Sequence, residues 1–222
     1  MLEQVKLYAQ KVKNVLKGRW ARHVKGGYLY ELDFAAYTGA HVAPNVEGEF
    51  KVISLPELPS LSGQVSAEQY RLFESRLVER KDVMIAFLSE DQVLINWAWL
   101  SCQPTYYEPI VDYRMEIPEG AVLMYDSQTL SRNLRGAQKS KRSSGTAAAA
   151  SGDQPKVGVY EASLTNSIRL ARELGKKKAL AVVVDNNSVP INMLHKLQFK
   201  KVKRLRSVQV LGFRCHRATS CI

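Results

Sequence analysis

Residues 137–156 read AQKSKRSSGTAAAASGDQPK, with no aromatic side chain and no aliphatic larger than alanine. Such a stretch cannot bury enough apolar surface to offset the entropy of ordering it. At about twenty residues it is also longer than the usual loop of a compact domain. It reads as a flexible surface insertion, and the segments on either side must build one core around it.

Upstream, alternating apolar residues predict strands over 28–34, 50–55, 83–88, 93–100 and 121–125. The last is apolar on both faces, as a central strand requires. Residues 66–80 predict a helix, with Ser66 and Gln69 at capping-box spacing and Tyr70, Phe73, Leu77 and Val78 as its apolar stripe. Residues 38–48 are turn-rich, and 106–118 read as irregular and aromatic. Downstream come a helix over 158–174 stopped by Gly175, a β-branched strand over 179–184, a short helix over 187–197, and one or two strands within 202–213. Strands first, then β-α-β-α-β, give an α/β fold with a mixed (α+β) central sheet.

The N-terminal residues 1–25 form a separate unit in this reading. Leu2, Val5, Tyr8, Val12, Val15, Leu16 and Trp20 recur at spacings of three and four, with lysines and arginines opposite. This amphipathic helix either packs on the main domain, 26–222, or touches an anionic membrane surface or an acidic partner. With 32 Lys and Arg against 21 Asp and Glu, the chain carries +11, which favours an anionic ligand. Three cysteines without CxxC spacing, and four scattered histidines, supply no metal-site pattern and suit a reducing cytoplasmic setting. No apolar run reaches the ~20 residues of a membrane span. The basic run Lys200, Lys201, Lys203, Arg204 and Arg206 lacks interleaved stacking aromatics, so no specific nucleic-acid partner is expected.

If the insertion loops out, Asn133-Leu134-Arg135-Gly136 meets Val157-Gly158-Val159-Tyr160 in a short Gly-x-Gly turn that opens a helix. Glycines admit close approach to backbone N–H groups, and a helix start offers unpaired donors at a positive dipole end. The combination is a cradle for a diphosphate, to which Arg135 adds a fixed charge. Neither GK[ST] nor GxGxxG is present, which excludes the P-loop and dinucleotide fingerprints.

Strand, glycine turn, long helix, strand, Asn187, short helix and Leu197-Gln198-Phe199 together resemble the GCN5-related N-acetyltransferase (GNAT) family, over residues 121–213. The resemblance implies acetyl-CoA as cofactor and direct attack by an acceptor amine or hydroxyl on the thioester. It implies that Gln128 and Leu130 offer backbone contacts to the pantetheine arm. Arg135, Gly136, Gly158, Val159 and Tyr160 would cradle the diphosphate, and Asn187 would face the cofactor. Three positions depart from the family pattern: Asn133 for Arg or Gln, Gln198 for Gly, and Leu194 where many members carry a proton-donating Tyr.

Acid–base candidates near the strand are Tyr125, Asp126 and Tyr160, with Glu31 and Asp33 behind them. Asp126 reads equally as a turn cap, and Tyr160 reads first as a residue packed on the cofactor or core and only second as a proton donor to the thiolate. Trp97 and Trp99 share one strand face, and together with Tyr106, Tyr107 and Tyr113 serve either the core or an acceptor cleft. The basic N-terminal helix, the Trp-bearing hairpin and the YDSQTL segment are similar to bacterial acetyltransferases associated with surface-polysaccharide synthesis, which implies an amino-sugar or sugar-hydroxyl acceptor beside the small-molecule amine that the family resemblance alone implies. Two alternatives stay open: transfer of a different acyl group, and a non-catalytic binding module on the same fold.

Overall fold

The computed structural model describes residues 23–39, 42–109, 111–143, 156–210 and 213–221. The helix expected over residues 1–25 lies outside these as far as residue 22. Residues 23–25 belong instead to the first strand, β1 (His23–Asp33).

The strands β3 (Glu49–Ile53), β4 (Val83–Leu88), β5 (Leu94–Ser101), β8 (Ala121–Thr129), β10 (Lys178–Val184), β11 (Lys200–Val210) and β12 (Phe213–Ser220) join β1 in one eight-stranded sheet. Its order is β12-β11-β1-β10-β8-β5-β4-β3. Every neighbouring pair is antiparallel except β8 and β10, which the crossover helix α3 (Val159–Glu173) links in parallel. The first strand therefore lies between two late ones. Its backbone must approach closely there: a Cβ on Gly27 would stand 2.7 Å from both Val111 Cγ1 and the Val183 carbonyl oxygen.

Helix α1 (Ala67–Val78) covers one face, where Phe73 meets the Trp97 and Trp99 rings at 5.3 and 5.5 Å. Both indoles are fully enclosed core residues, which decides the core-or-cleft alternative for them. The Ser66 cap forms as expected, its Oγ accepting from Gln69 N–H at 3.1 Å. The opposite face carries α3 and α4 (Ser188–Lys196), whose Leu164, Ile168 and Leu194 pack against Val122, Met124, Ala179 and Ala181.

Two expectations are corrected. Residues 106–118 hold a hairpin, β6 (Thr105–Glu108) with β7 (Tyr113–Glu116). Its aromatic residues alternate, with Tyr106 buried and Tyr107 half exposed, a two-residue period too short to stand out between prolines. The insertion also starts later than residue 137. Helix α2 (Ser131–Ser143) runs on from β8, so Asn133, Arg135 and Gly136 are helical and the Gly-x-Gly turn does not form. Arg, Lys, Gln and Ala are good helix formers whatever their polarity. Leu134 and Ala137 anchor α2 on a cluster of Val46, Phe87, Ile95 and Val159, and Asn133 Nδ2 donates to the Leu94 carbonyl at 2.7 Å. Among the described residues no helix is long and apolar enough to cross a membrane.

Candidate active site at the splayed parallel strands

Strands β8 and β10 pair only from Ala121/Lys178 to Met124/Ala181. Beyond that point each continues without the other, β8 to Thr129 and β10 to Val184. Between them lies a cavity of about 270 Å³, walled by both strands, by Tyr160, Leu164 and Ser167 of α3, and by Asn187, Pro190 and Leu194 at α4. Its cause is local. Trp97 faces Gln128 and Trp99 faces Tyr125, so Asp126 and Ser127 together oppose Ala98. This β-bulge bends β8 away from β10, with Asp126 in the left-handed region at φ +44°.

The bulge also sets which backbone groups look into the opening. Leu130 N–H donates to the Ile95 carbonyl at 2.8 Å and the Leu130 carbonyl accepts from Leu134 N–H at 3.0 Å. The Gln128 carbonyl accepts from Asn96 Nδ2 at 2.8 Å. The backbones of Gln128 and Leu130 are thus turned to β5 and α2, not to the opening. Alternation leaves Thr129, between them, as the residue whose N–H and C=O point away from β5. One extra residue in the strand thus moves the backbone groups that face away from β5 one position from the residues expected to offer them. The Ser127 hydroxyl, on the cavity wall, is buried without a hydrogen-bond partner.

At the far end of the opening α3 begins. Its N-cap, Gly158, offers no side-chain hydrogen bond, and a Cβ built there would meet no atom within 4 Å. The first amides of a 15-residue helix are left for an outside acceptor. The segment before it is pinned: β9 (Lys156–Val157) pairs with β2 (Ala43–Pro44), and Asn45 N–H donates to the Val157 carbonyl at 2.8 Å. Val159 shares the cluster on which α2 rests, so the start of α2 and the start of α3 meet although Gly136 is helical. Arg135 is exposed on α2. Asn187 caps α4 with its backbone alone, leaving its amide side chain at the cavity wall.

The three acid–base candidates differ in their surroundings. Burial pushes the Tyr160 hydroxyl up to about 12, and it borders the cavity. Tyr125 Oη–H donates to Asp82 Oδ2 at 2.5 Å; burial first, then that hydrogen bond, raise it well above the ordinary phenol range. Asp126 is ion-paired with Arg76, and its second oxygen accepts from Gln128 Nε2 at 2.6 Å. Glu31 pairs with Lys178 at 2.8 Å, and Asp33 accepts from Ala35 N–H at 2.9 Å. Both sit where β8 and β10 are still paired, away from the opening. His195 is exposed, its ring 5.6 Å edge-on from Tyr30.

Sequence reading missed Arg76, Arg80 and Asp82. Arg80 Nε donates to Asp82 Oδ2 at 2.8 Å, and the Arg80 guanidinium lies 4.7 Å from the Tyr106 ring centre. The available signal was the four-residue spacing of the two arginines, which puts both on one side of a helix end. Of the expected cleft aromatics, Tyr106 meets the acid–base candidate Tyr125 at 4.9 Å beside these arginines.

No family model and no curated protein matches the chain. Solved structures do. The glucosamine N-acetyltransferase region of a fungal multi-domain β-N-acetylglucosaminidase matches with a TM-score of 0.52 and 13% identity, over 95% of this chain and 23% of that one. A tandem GNAT protein from the clavulanic acid biosynthesis pathway matches with a TM-score of 0.51 and 13% identity, over 90% of this chain and 59% of that one. A Drosophila protein matches with a TM-score of 0.51 and 12% identity; the chain spans 58% of its length and is itself covered to 92%. At these identities the likeness is one of backbone architecture, and that architecture is the GCN5-related N-acetyltransferase fold.

Proposed function

We propose that the chain transfers an acetyl group from acetyl-CoA to the amine of a small-molecule acceptor. The observation that carries this reading is the bulge-opened cavity ending at an uncapped helix start. It suits a long, narrow ligand that is apolar and amide-bearing along its length and carries a diphosphate at one end.

The residues fit that ligand in three places. The open space at Gly158 and the free amides of Val159 and Tyr160 suit a diphosphate, with Arg135 close enough in sequence to α2's anchor to add charge. Thr129 offers a strand edge to amides of the pantetheine arm, and Ser127 Oγ and the Asn187 side chain add donors on the wall. Bound there, acetyl-CoA would supply the thioester carbonyl; transfer to an ammonium gives an amide, a free thiol and one proton. Tyr160, protonated throughout the neutral range, holds a proton at Oη for the leaving sulfur, the role left open by Leu194. Asp82 fixes the orientation of Tyr125 through their hydrogen bond.

An amino-sugar acceptor is the second reading, favoured by the fold likeness to the glucosamine N-acetyltransferase region. The free thiols Cys102 and Cys221 suit a cytoplasmic setting. A non-catalytic binding module is favoured by the tie between Asp126 and Arg76, and a longer acyl group by nothing beyond the cavity's apolar wall.

Thermal unfolding with and without acetyl-CoA tests the proposal. Saturating ligand at ~100 Kd raises stability by about 2.7 kcal/mol. Thiol release with an amine panel then separates an enzyme from a binding module. Absence of any shift overturns the reading, and a shift with longer acyl-CoA alone replaces acetyl with that acyl group. Arg135→Glu weakens the shift and leaves the unliganded melting temperature unchanged.

A further inference from the structure

The acceptor side of the site holds more enclosed charge than transfer to a simple amine requires. Arg76 lies near the end of α1 with its guanidinium over the Trp99 ring, 5.1 Å from the centre, and over Tyr125, at 4.9 Å. Its partner Asp126 stands at the bulge, on the cavity wall, and the two side chains are only 12% and 18% exposed. Arg80, four residues on, has its guanidinium 5.5 Å from the centre of the same Tyr125 ring and pairs with Asp82. Enclosed ion pairs such as these add little stability over apolar residues of equal volume. Packing alone therefore gives a poor account of two guanidiniums against one tyrosine.

We propose that the Arg76–Asp126 pair is the recognition element for the acceptor, and that the acceptor is an amino acid or a similar small molecule joining an ammonium to a carboxylate. The inference rests on the acetyl-transfer reading above. A zwitterion replaces both partners at once. Its carboxylate takes Arg76, its ammonium takes Asp126, and neither charge is left enclosed and alone when the internal pair opens. The flat guanidinium suits two parallel N–H···O bonds to a carboxylate, and the two rings hold it in place before the ligand arrives. An amine without a carboxylate, an amino sugar included, reaches Asp126 only by leaving Arg76 unpaired between the rings, which is heavily penalised. Asp126 and Tyr125 border the cavity, so an ammonium held by Asp126 lies beside the space assigned to the cofactor.

The test uses the purified full chain with acetyl-CoA and follows thiol release with glycine, alanine and glutamate, with their amides, and with glucosamine. The expected kcat/KM for at least one amino acid exceeds that for its amide and for glucosamine by ~100-fold or more, because the amide strands an enclosed charge. Arg76→Met collapses the acid-to-amide ratio to within about threefold, and Arg76→Lys keeps part of it, since a point charge survives without the planar fork. Acetyl-CoA protection against heat serves as the folding control for both variants. Amides or glucosamine matching the amino acids, or a ratio unchanged in Arg76→Met, overturns the proposal. If no acceptor is consumed, calorimetric titration of the amino acids into the CoA-saturated chain decides: no binding at tens of ~mM overturns the recognition element. Failure of acetyl-CoA itself to bind overturns the transferase reading instead.

Discussion

Tyr160 and Gln198 show how differently single residues depart from sequence expectation. Tyr160 stands where α3 meets the cavity, and burial lifts its hydroxyl to about 12. Its proton is therefore not lost below pH ~10, and the alkaline limb of a rate profile should stay flat up to that point. Tyr160→Phe should lower kcat by ~100-fold while leaving the acetyl-CoA-induced thermal shift intact; equal losses in both would make Tyr160 a cofactor contact only. Gln198 stands where the family that the chain resembles carries a glycine, and its φ of +67° explains why glycine suits the place. Its amide bridges to Thr38, Nε2 to Oγ1 at 3.2 Å and Oε1 from N–H at 3.4 Å, both exposed and long. Left-handed backbone costs a non-glycine residue about 1 kcal/mol. Gln198→Gly should thus raise the melting temperature by roughly 2 °C for a chain of this size, and calorimetry reads the sign directly. The glycine-shaped position was legible in the sequence. The charge cluster around Arg76 was not, because its four members come from α1, the loop after it and β8, and only the fold brings them together.

Among the elements, β8 matters most to function. Its apolar first half, 121–125, was readable as a central strand, and its parallel pairing with β10 follows from the crossover helix between them. The bulge was not readable, since Asp126 and Ser127 are ordinary residues and the extra position exists only relative to β5. That is why the expected backbone contacts at Gln128 and Leu130 fall one place from Thr129. Helix α2 was missed for a related reason: low hydrophobicity predicts exposure, not the absence of helix, and Leu134 and Ala137 are enough to attach its first turns to the core. The bulge makes a direct prediction. Deleting Ser127 lets β8 resume regular pairing with β5 and brings the splayed edges together. The chain should still unfold cooperatively, while the thermal shift with acetyl-CoA disappears. A retained shift would show that the opening does not depend on the extra residue.

At the scale of the whole molecule, the placing of β1 between β10 and β11 ties the N-terminal part of the sheet to its C-terminal part. The order of elements signalled a mixed sheet, but strand order depends on long-range pairing that no local pattern encodes, apart from Gly27, where the Val183 carbonyl oxygen stands too close for a side chain. The same closeness buries phenols on both faces. Tyr30, Tyr37, Tyr106, Tyr125 and Tyr160 all have ionisation raised above 10.0, in each case chiefly by burial. In the unfolded chain these groups lose protons near pH ~10, whereas in the folded chain they keep them. Above that pH the unfolded state binds fewer protons, so stability falls as pH rises, by up to about 1.4 kcal/mol per pH unit for each phenol that ionises only on unfolding. The two most strongly held, Tyr106 and Tyr125, lie against the Arg76 and Arg80 guanidiniums on the acceptor side. Unfolding in urea at pH 7, 9 and 11 should therefore show little change over the first interval and a steep loss over the second. Tyr125→Phe should flatten that loss without removing it, because the other four phenols remain.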